Sequence, residues 1–255
     1  MPPRSNVEWI DWGKRDPLCG VATWLGRERG SAEAWTDDAF YAVGEQDWGY
    51  FFTRWEAFGV DTSSCVEIGC GAGRFTKPIS NAFRRVHAVD ISVDMVEYAK
   101  RHVDLERVTF YVNEGLTLPL ADQSVGAAFS THVFQHFDSI AIARGYIVEL
   151  SRVLVPGATI MIHIPFHEFP IWRKSLYSFM NMQYDATKMI GRIRANINRM
   201  MILRGRTRPM MRLLSYDLLW IKSTLSDLAF FDVEAAIVTS PANGEMMHFV
   251  FARKR

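Results

Sequence analysis

Short apolar runs alternate with helix-like segments between residues 61 and 165. Runs rich in β-branched and aromatic residues predict five strands, which end near residues 68, 90, 112, 130 and 164. Apolar positions spaced three and four apart over residues 140–154 predict a helix that ends at Pro156 and Gly157. Because strands alternate with helices, we predict a parallel sheet covered on both faces.

The segments that flank this core differ from it in composition. Residues 1–60 contain six of the eight tryptophans, and residues 47–55 predict an amphipathic helix with an aromatic stripe. This N-terminal segment either packs on the sheet or, through residues 40–44, also covers a ligand site. In the segment 215–255, residues 215–218 predict the N-cap of a helix that runs to about Ala229, and two strands follow it.

Residues 166–214 interrupt the alternation. Between residues 173 and 212 there are ten arginines and lysines against one acid, Asp185, and seven methionines lie between residues 180 and 211. We predict a helical lid inserted at the carboxyl end of the sheet, since methionine adapts to varied apolar surfaces. A solvated basic face is the alternative interpretation.

A glycine-rich loop follows the first predicted strand. The strand runs directly into Gly69, Gly71 and Gly73, and glycine lets the backbone turn sharply and lie against a ligand. The third glycine comes one residue earlier than in the dinucleotide-binding fingerprint. A second strand ends at Asp90, 21 positions after Gly69 (90 − 69). An acid at this distance hydrogen-bonds a ribose in nucleotide-binding α/β folds.

Residues 67–73, Glu-Ile-Gly-Cys-Gly-Ala-Gly, resemble motif I of the class I S-adenosylmethionine-dependent methyltransferases. Residues 90–95, 118–124 and 152–157 are similar to further motifs of that family, although Gly126 and Ala158 depart from its pattern. The resemblance covers residues 60–165 and 215–255. It implies a seven-stranded, mostly parallel Rossmann-like sheet with helices on both faces. To this core the chain adds the N-terminal aromatic cap over residues 1–60 and the helical insertion after strand 5.

The resemblance also implies a binding site for S-adenosylmethionine. Three acids end successive strands: Glu67 would hold the ammonium group directly or through water, Asp90 the ribose hydroxyls and Glu114 the adenine amino group. The other cofactor-binding residues that it implies are Gly69, Cys70, Gly71, Gly73, Ile91, Met95, Gly115, Thr131 and His132.

Histidines that follow strands 4 and 5 are the candidate bases. We predict that His136 takes the proton of an acceptor hydroxyl, because a neutral imidazole can do so near pH 7. His163 and His167, with Glu168, are the reserve candidates, and a packing role for His136 is the competing interpretation. We expect no metal site, since Cys19, Cys65 and Cys70 are few and scattered.

The expected reaction is O-methylation of a small-molecule, sugar or lipid acceptor, because signatures of enzymes that methylate adenine, cytosine or arginine are missing. A net charge of +1 gives no general attraction to nucleic acid. Two alternatives stay open: a large anionic partner such as nucleic acid bound through the basic insertion, and a regulator that binds the cofactor without catalysis. The insertion is also a candidate homodimer contact. Without an apolar N-terminal core or an 18-residue apolar run, we expect a cytoplasmic protein with no membrane span.

Overall fold

The computed structural model describes residues 4–167 and 213–255. The strands are β1 (Cys65–Ile68), β2 (Val86–Asp90), β3 (Val108–Val112), β4 (Val125–Ser130), β5 (Leu154–His163), β6 (Phe166–His167), β7 (Tyr216–Asp217), β8 (Phe230–Thr239) and β9 (Met246–Lys254). The helices of these residues are α1 (Arg4–Arg15), α2 (Pro17–Val21), α3 (Asp37–Phe58), α4 (Thr76–Ala82), α5 (Val93–Lys100), α6 (Ile140–Val153) and α7 (Leu218–Asp227), with a 3-10 turn at Phe134–His136.

Seven of the described strands form one sheet in the order β3-β2-β1-β4-β5-β9-β8. Strands β1 to β5 pair in parallel, whereas β9 pairs antiparallel with both β5 and β8. The strand order reverses between β1 and β4, and open α/β sheets bind ligands at the carboxyl ends of the strands beside such a reversal. The predicted mostly parallel, seven-stranded Rossmann-like sheet is therefore confirmed.

Helices cover both faces of the sheet, as predicted. Helices α6 and α7 pack on one face through side chains such as Leu150 and Ile221. Helices α3, α4 and α5 pack on the other face, where Phe51 and Ile79 are buried. Because side chains alternate along a strand, each strand of the centre contributes to both apolar layers, which explains its continuous apolar sequence.

Helix α3 is longer than the aromatic pattern predicted. It begins at Asp37, where the Thr36 side chain accepts a hydrogen bond from the Ala39 N–H at 3.3 Å, and Gly59 ends it in the left-handed conformation. The predicted stripe is its second half. There Trp55 is fully buried, and its Nε1 donates to Thr159 Oγ1 on β5 at 3.0 Å. This bond ties the helix to the middle of the sheet.

Replacing Trp55 by phenylalanine is expected to lower the free energy of unfolding by about 1–2 kcal/mol. The phenyl ring keeps most of the apolar contact but leaves the buried Thr159 hydroxyl without its donor. Urea unfolding measures the change. The double variant Trp55→Phe/Thr159→Val is the control, because it removes both polar partners and should recover part of the loss. If Trp55→Phe unfolds at the wild-type urea concentration, the bond contributes nothing.

One predicted boundary is wrong: Pro156 and Gly157 do not end the helix, which ends at Val153, but lie within β5, beside a shift in its register with β4. The N-cap predicted within residues 215–218 is confirmed. Strand β7 pairs with β6 immediately before α7, and the Asp217 side chain caps this helix by accepting from the Leu219 N–H at 2.7 Å.

The predicted lid of residues 166–214 lies mostly outside the described residues, as do its ten basic side chains and Glu168. Its described ends meet in the pairing of β6 with β7, where His167 Nδ1 lies 2.7 Å from Ser215 Oγ. The division into cap, core and lid stays a prediction. In the described part of the chain, no helix is both long and apolar enough to span a bilayer.

Candidate functional site

A cavity of about 700 Å³ lies at the carboxyl ends of the central strands. Its lining combines Gly69 after β1, Asp90 at the end of β2, Glu114 after β3, and His132 and His136 after β4. The strand topology therefore gathers residues that are far apart in the sequence into one space. A cavity of this volume is typical of small-molecule sites.

The glycine loop forms one wall of the cavity with its bare backbone. Gly69 has a φ of 76°, and a Cβ there would lie 2.1 Å from Val133 Cγ2. Gly71 has a φ of 52°, and a Cβ there would lie 2.5 Å from Val21 Cγ2 of α2. Both positions need glycine for conformation and for space, so the backbone itself faces the ligand position.

The Asp90 carboxylate is fixed between this loop and α5. Its Oδ2 accepts the Gly71 N–H at 2.8 Å, and its Oδ1 accepts the Ser92 N–H at 2.9 Å. Burial raises the pKa of Asp90, whereas hydrogen bonds from the backbone of Ser92, Gly71 and Ile91 oppose that rise. The side chain lines the cavity as a preorganised acceptor.

Nine of the predicted cofactor residues line the cavity: Gly69, Gly71, Asp90, Ile91, Met95, Glu114, Gly115, Thr131 and His132. The other three, Glu67, Cys70 and Gly73, lie behind it. Gly73 packs against Ala99 of α5, and burial raises the pKa of the Cys70 thiol well above its usual range, so this cysteine is inert. The contacts of all twelve with a cofactor stay predictions.

Glu67 lies under the loop and is almost fully buried. Its Oε2 accepts a hydrogen bond from Thr76 Oγ1 at 2.6 Å, yet burial raises the pKa of Glu67 to about 8. Burial therefore favours the neutral form of its carboxyl group in the protein without ligand, whereas an ammonium group bound nearby would favour the carboxylate. The contact of Glu67 with the ammonium group stays a prediction.

Replacing Glu67 by glutamine is expected to stabilise the protein without ligand by roughly 1–3 kcal/mol at pH 7. The folded-state pKa lies above the unfolded one, so the wild type loses stability as pH rises from about 4.5 to 8. Glutamine keeps an acceptor for Thr76 but does not titrate. Thermal unfolding from pH 5 to pH 8 should show the gain growing with pH, and a gain independent of pH would contradict an ionisable Glu67.

His132 and His163 form a pair beside this wall, in which His132 is half-buried and lines the cavity while His163 is buried behind it. The backbone N–H of His132 donates a hydrogen bond to His163 Nδ1 at 3.3 Å. Burial lowers the pKa of His132 well below its usual range and that of His163 to about 3. Both rings are neutral and weakly basic near pH 7, and His163, like His167, is not part of the cavity lining. His132 also has a φ of 57°, a strained conformation for a residue other than glycine.

His136 lines the cavity at the end of the 3-10 turn. The Trp9 ring of α1 packs edge-on against the imidazole, with ring centroids 4.8 Å apart. Gln135 Nε2 lies 3.0 Å from His136 Nε2 and 3.4 Å from His132 Nδ1. A turn does form here, as the four-residue spacing of the two histidines required, and Gln135 connects them.

Helices α1 and α2 roof the cavity, a role that the sequence did not predict for them. Trp9 and Trp12 of α1 and Val21 of α2 line it, whereas none of residues 40–44 does. Tyr41 instead supports the loop from behind, since its hydroxyl donates to the Ala72 carbonyl at 2.8 Å. Only the density of tryptophans hinted at this arrangement.

Two buried charged residues of the lining were also missed, Asp47 of α3 and Arg74, which follows the third loop glycine. Two features of the sequence could have pointed to them: Asp47 is an acid inside an aromatic stripe, and Arg74 stands at the start of the segment that leads into α4.

The lining fits an adenosyl group. Trp12 Nε1 and Thr131 Oγ1 are buried and have no hydrogen-bond partner among the described residues, although both residues line the cavity. Buried polar atoms are normally paired, so a ligand in this cavity would satisfy them. Together with the bare loop backbone and the fixed Asp90 acceptor, they match a ligand that combines polar ring atoms with sugar hydroxyls.

Comparison with known proteins supports this interpretation. Residues 66–162 match the family described as "Methyltransferase domain". Over 98 residues the chain is 35% identical to a malonyl-[acyl-carrier protein] O-methyltransferase of Hahella chejuensis, a match that covers 38% of this chain and 34% of that protein. It is 36% identical over 104 residues to a probable tRNA methyltransferase 9B of Homo sapiens, covering 40% and 21% of the two chains. The matches thus span about a third or less of these relatives.

The fold has a close counterpart among solved structures. Magnesium protoporphyrin IX methyltransferase from Synechocystis, solved with S-adenosylhomocysteine bound, superposes with a TM-score of 0.61 at 16% identity. The superposition covers 98% of this chain and 100% of that chain. Residues 66–162 thus match a methyltransferase domain, and the chain shares the Rossmann-like fold of a class I, S-adenosylmethionine-dependent methyltransferase.

Proposed function

We propose that the chain transfers a methyl group from S-adenosylmethionine to an oxygen of a small acceptor with a largely apolar body. One observation carries the proposal: a single cavity joins the glycine loop and Asp90 to His136. The cofactor supplies a methyl carbon on a sulfonium, which is a good leaving group. The protein then has to bind both partners, align them and remove the acceptor proton.

Residues at the ends of β1, β2 and β3 hold the adenosyl part in this proposal. Asp90 accepts the ribose hydroxyls, and Glu114 with Gly115 meets the adenine edge. Ile91 and Met95 supply apolar contacts to the base. The hydrogen bond from the Gly71 N–H to Asp90 supports these roles, because it fixes the loop and the acid relative to one another.

The remaining lining is rich in aromatic and aliphatic side chains. Trp9, Trp24, Phe137, Ile142 and Leu213 contribute to it. Aromatic side chains bury large apolar areas, which favours an acceptor with an apolar body over a free sugar. The Hahella relative is named as an O-methyltransferase, and this name is consistent with an oxygen acceptor.

His136 is the proposed base. The Gln135 amide nitrogen lies 3.0 Å from His136 Nε2, and this contact is a hydrogen bond in the tautomer that carries its proton on Nδ1, because an amide nitrogen only donates. The proposed base is this tautomer. An acceptor hydroxyl that takes the amide's place gives its proton to Nε2 as its oxygen forms the bond to the methyl carbon. His132 and His163 are weaker candidates because burial depresses their pKa.

A large anionic acceptor such as tRNA is the second candidate function. It is favoured by the 36% identity to the probable tRNA methyltransferase and by the ten basic residues between 173 and 212. Binding through many phosphate contacts would fall steeply with salt, whereas binding of a small apolar acceptor would not. Salt dependence therefore separates the two functions.

The test is methyl transfer from labelled S-adenosylmethionine to separate pools of small carboxylates and phenols, malonyl-loaded acyl carrier protein and bulk tRNA. Label in a small-molecule or carrier-bound oxygen, with little change between 50 and 200 mM salt, supports the proposal. Label in tRNA that disappears over the same salt range would establish the second function instead. Cofactor binding without transfer to any pool would favour a regulator.

A further inference from the structure

A cluster of charged and polar side chains lines the end of the cavity away from Glu114, and the proposed reaction does not use it. Asp47 of α3, Arg74 after the glycine loop, and Ser240, Asn243 and Glu245 around the turn between β8 and β9 all belong to it. The rest of the cavity lining is mainly apolar. Charged side chains in such a place either bind a polar ligand or stabilise the fold.

Arg74 is the centre of this cluster and is only 5% exposed. Its Nε has no hydrogen-bond partner among the described residues, and its guanidinium lies 4.6 Å from the Phe75 ring. The Arg74 backbone is held by α3: a Cβ on Gly44 would lie 2.3 Å from the Arg74 carbonyl oxygen. A buried guanidinium with an unpaired donor destabilises the folded protein unless a bound anion accepts that hydrogen bond.

Asp47 provides the opposite charge. It is 4% exposed, and its Oδ1 accepts hydrogen bonds from Ser240 Oγ at 2.7 Å and from the Ala242 N–H at 3.2 Å. These bonds hold one oxygen and leave the carboxylate at the cavity edge beside Arg74. Glu67, the acid that the sequence assigned to an ammonium group, is behind the wall and bonded to Thr76.

A buried cation and a buried carboxylate that face the same end of a cavity complement an α-amino acid. The ligand carboxylate would pair with the Arg74 fork, and the ligand ammonium with Asp47. The position of Arg74 in the cavity indicates which ligand carries this amino-acid group. Arg74 directly follows Gly73, and the loop that precedes it is bonded through Gly71 to Asp90, so the cavity runs without interruption from the ribose acceptor to Arg74.

We propose that Arg74 and Asp47 form the subsite for the methionine tail of S-adenosylmethionine, with Arg74 binding its carboxylate and Asp47 its ammonium group. The inference rests on the proposed cofactor site. It reassigns the ammonium contact from Glu67 to Asp47. It also makes the β8–β9 turn, through Ser240 and Ala242, a support of the cofactor subsite.

The test compares three ligands by calorimetry: S-adenosylhomocysteine, its decarboxylated form, and 5′-methylthioadenosine, which lacks the whole amino acid. Arg74→Met should weaken S-adenosylhomocysteine binding 10- to 100-fold, leave methylthioadenosine within about twofold, and abolish the preference for the carboxylated ligand. Asp47→Asn should weaken both amine-bearing ligands and leave methylthioadenosine unchanged. Lys77→Met, an exposed cation on α4, is the matched control and should change none of the three affinities.

An equal loss of affinity for all three ligands in Arg74→Met would show that Arg74 is structural. No loss of affinity for any of them would leave Arg74 to bind the acceptor instead. Either result would overturn the inference. If Arg74→Met fails to fold, Arg74→Lys and Asp47→Asn test the same inference, because each substitution retains the approximate volume of the side chain. Failure of the wild type to bind even methylthioadenosine would instead contradict the proposed cofactor site as a whole.

Discussion

Replacing His136 by glutamine is expected to lower turnover by about a hundredfold or more while S-adenosylmethionine affinity stays the same. The imidazole lines the cavity and is held between Trp9 and the Gln135 amide, so its position is fixed while its ring remains at the ligand side. Glutamine retains polarity and approximate length but cannot accept a proton near pH 7. The expected loss is thus confined to turnover.

Rescue experiments separate a base from a packing residue. His136→Ala leaves space beside Trp9, and added imidazole should restore part of its turnover if proton removal is the missing function. His163→Gln and His167→Gln are the comparison variants, because neither side chain lines the cavity. Near-normal turnover in both His136 variants would move the role to these two residues or show that positioning alone suffices.

Replacing Asp90 by alanine is expected to weaken S-adenosylmethionine binding about 100-fold, roughly 3 kcal/mol. The variant loses the proposed ribose acceptor and also releases the Gly71 and Ser92 N–H groups, which the carboxylate holds at 2.8 and 2.9 Å. The loop and the start of α5 are then no longer fixed to each other. Both effects act on the same ligand.

Calorimetry with two further variants tests this interpretation. Asp90→Asn retains volume and one acceptor and should show a smaller loss than alanine. Glu97→Ala removes an exposed acid of α5 that pairs with Lys100, and it should bind as the wild type does. Equal affinity of Asp90→Ala and wild type would refute the assignment of the ribose to Asp90.

Local sequence patterns were sufficient for the sheet and for the wall of the site nearest to it. Gly69 and Gly71 occupy conformations and gaps that exclude other residues, so their role is visible in the sequence itself. Asp90 follows a strand whose place in the sheet is set by its apolar run. Such features depend on few residues, and each acts over a short distance.

The rest of the site depends on contacts between distant segments, which no local pattern encodes. Asp47 is oriented by Ser240, 193 positions away. Trp9 contacts His136 from α1, which is itself hydrogen-bonded to Glu114 after β3 and to Asp138 after β4. Glu67 is a further case: the motif locates it at the end of β1, but its burial and its hydrogen bond from Thr76, which keep it out of the cavity lining, depend on the packed structure. Side-chain direction and protonation state are properties of the packed structure.

A crystal structure of the chain with S-adenosylhomocysteine would show directly where the cofactor binds. We expect the ribose hydroxyls on Asp90, the adenine beside Glu114, and the sulfur on the side of the cavity that His136 faces. Density for the ligand outside this cavity, or in it with the ribose away from Asp90, would refute the proposed cofactor site.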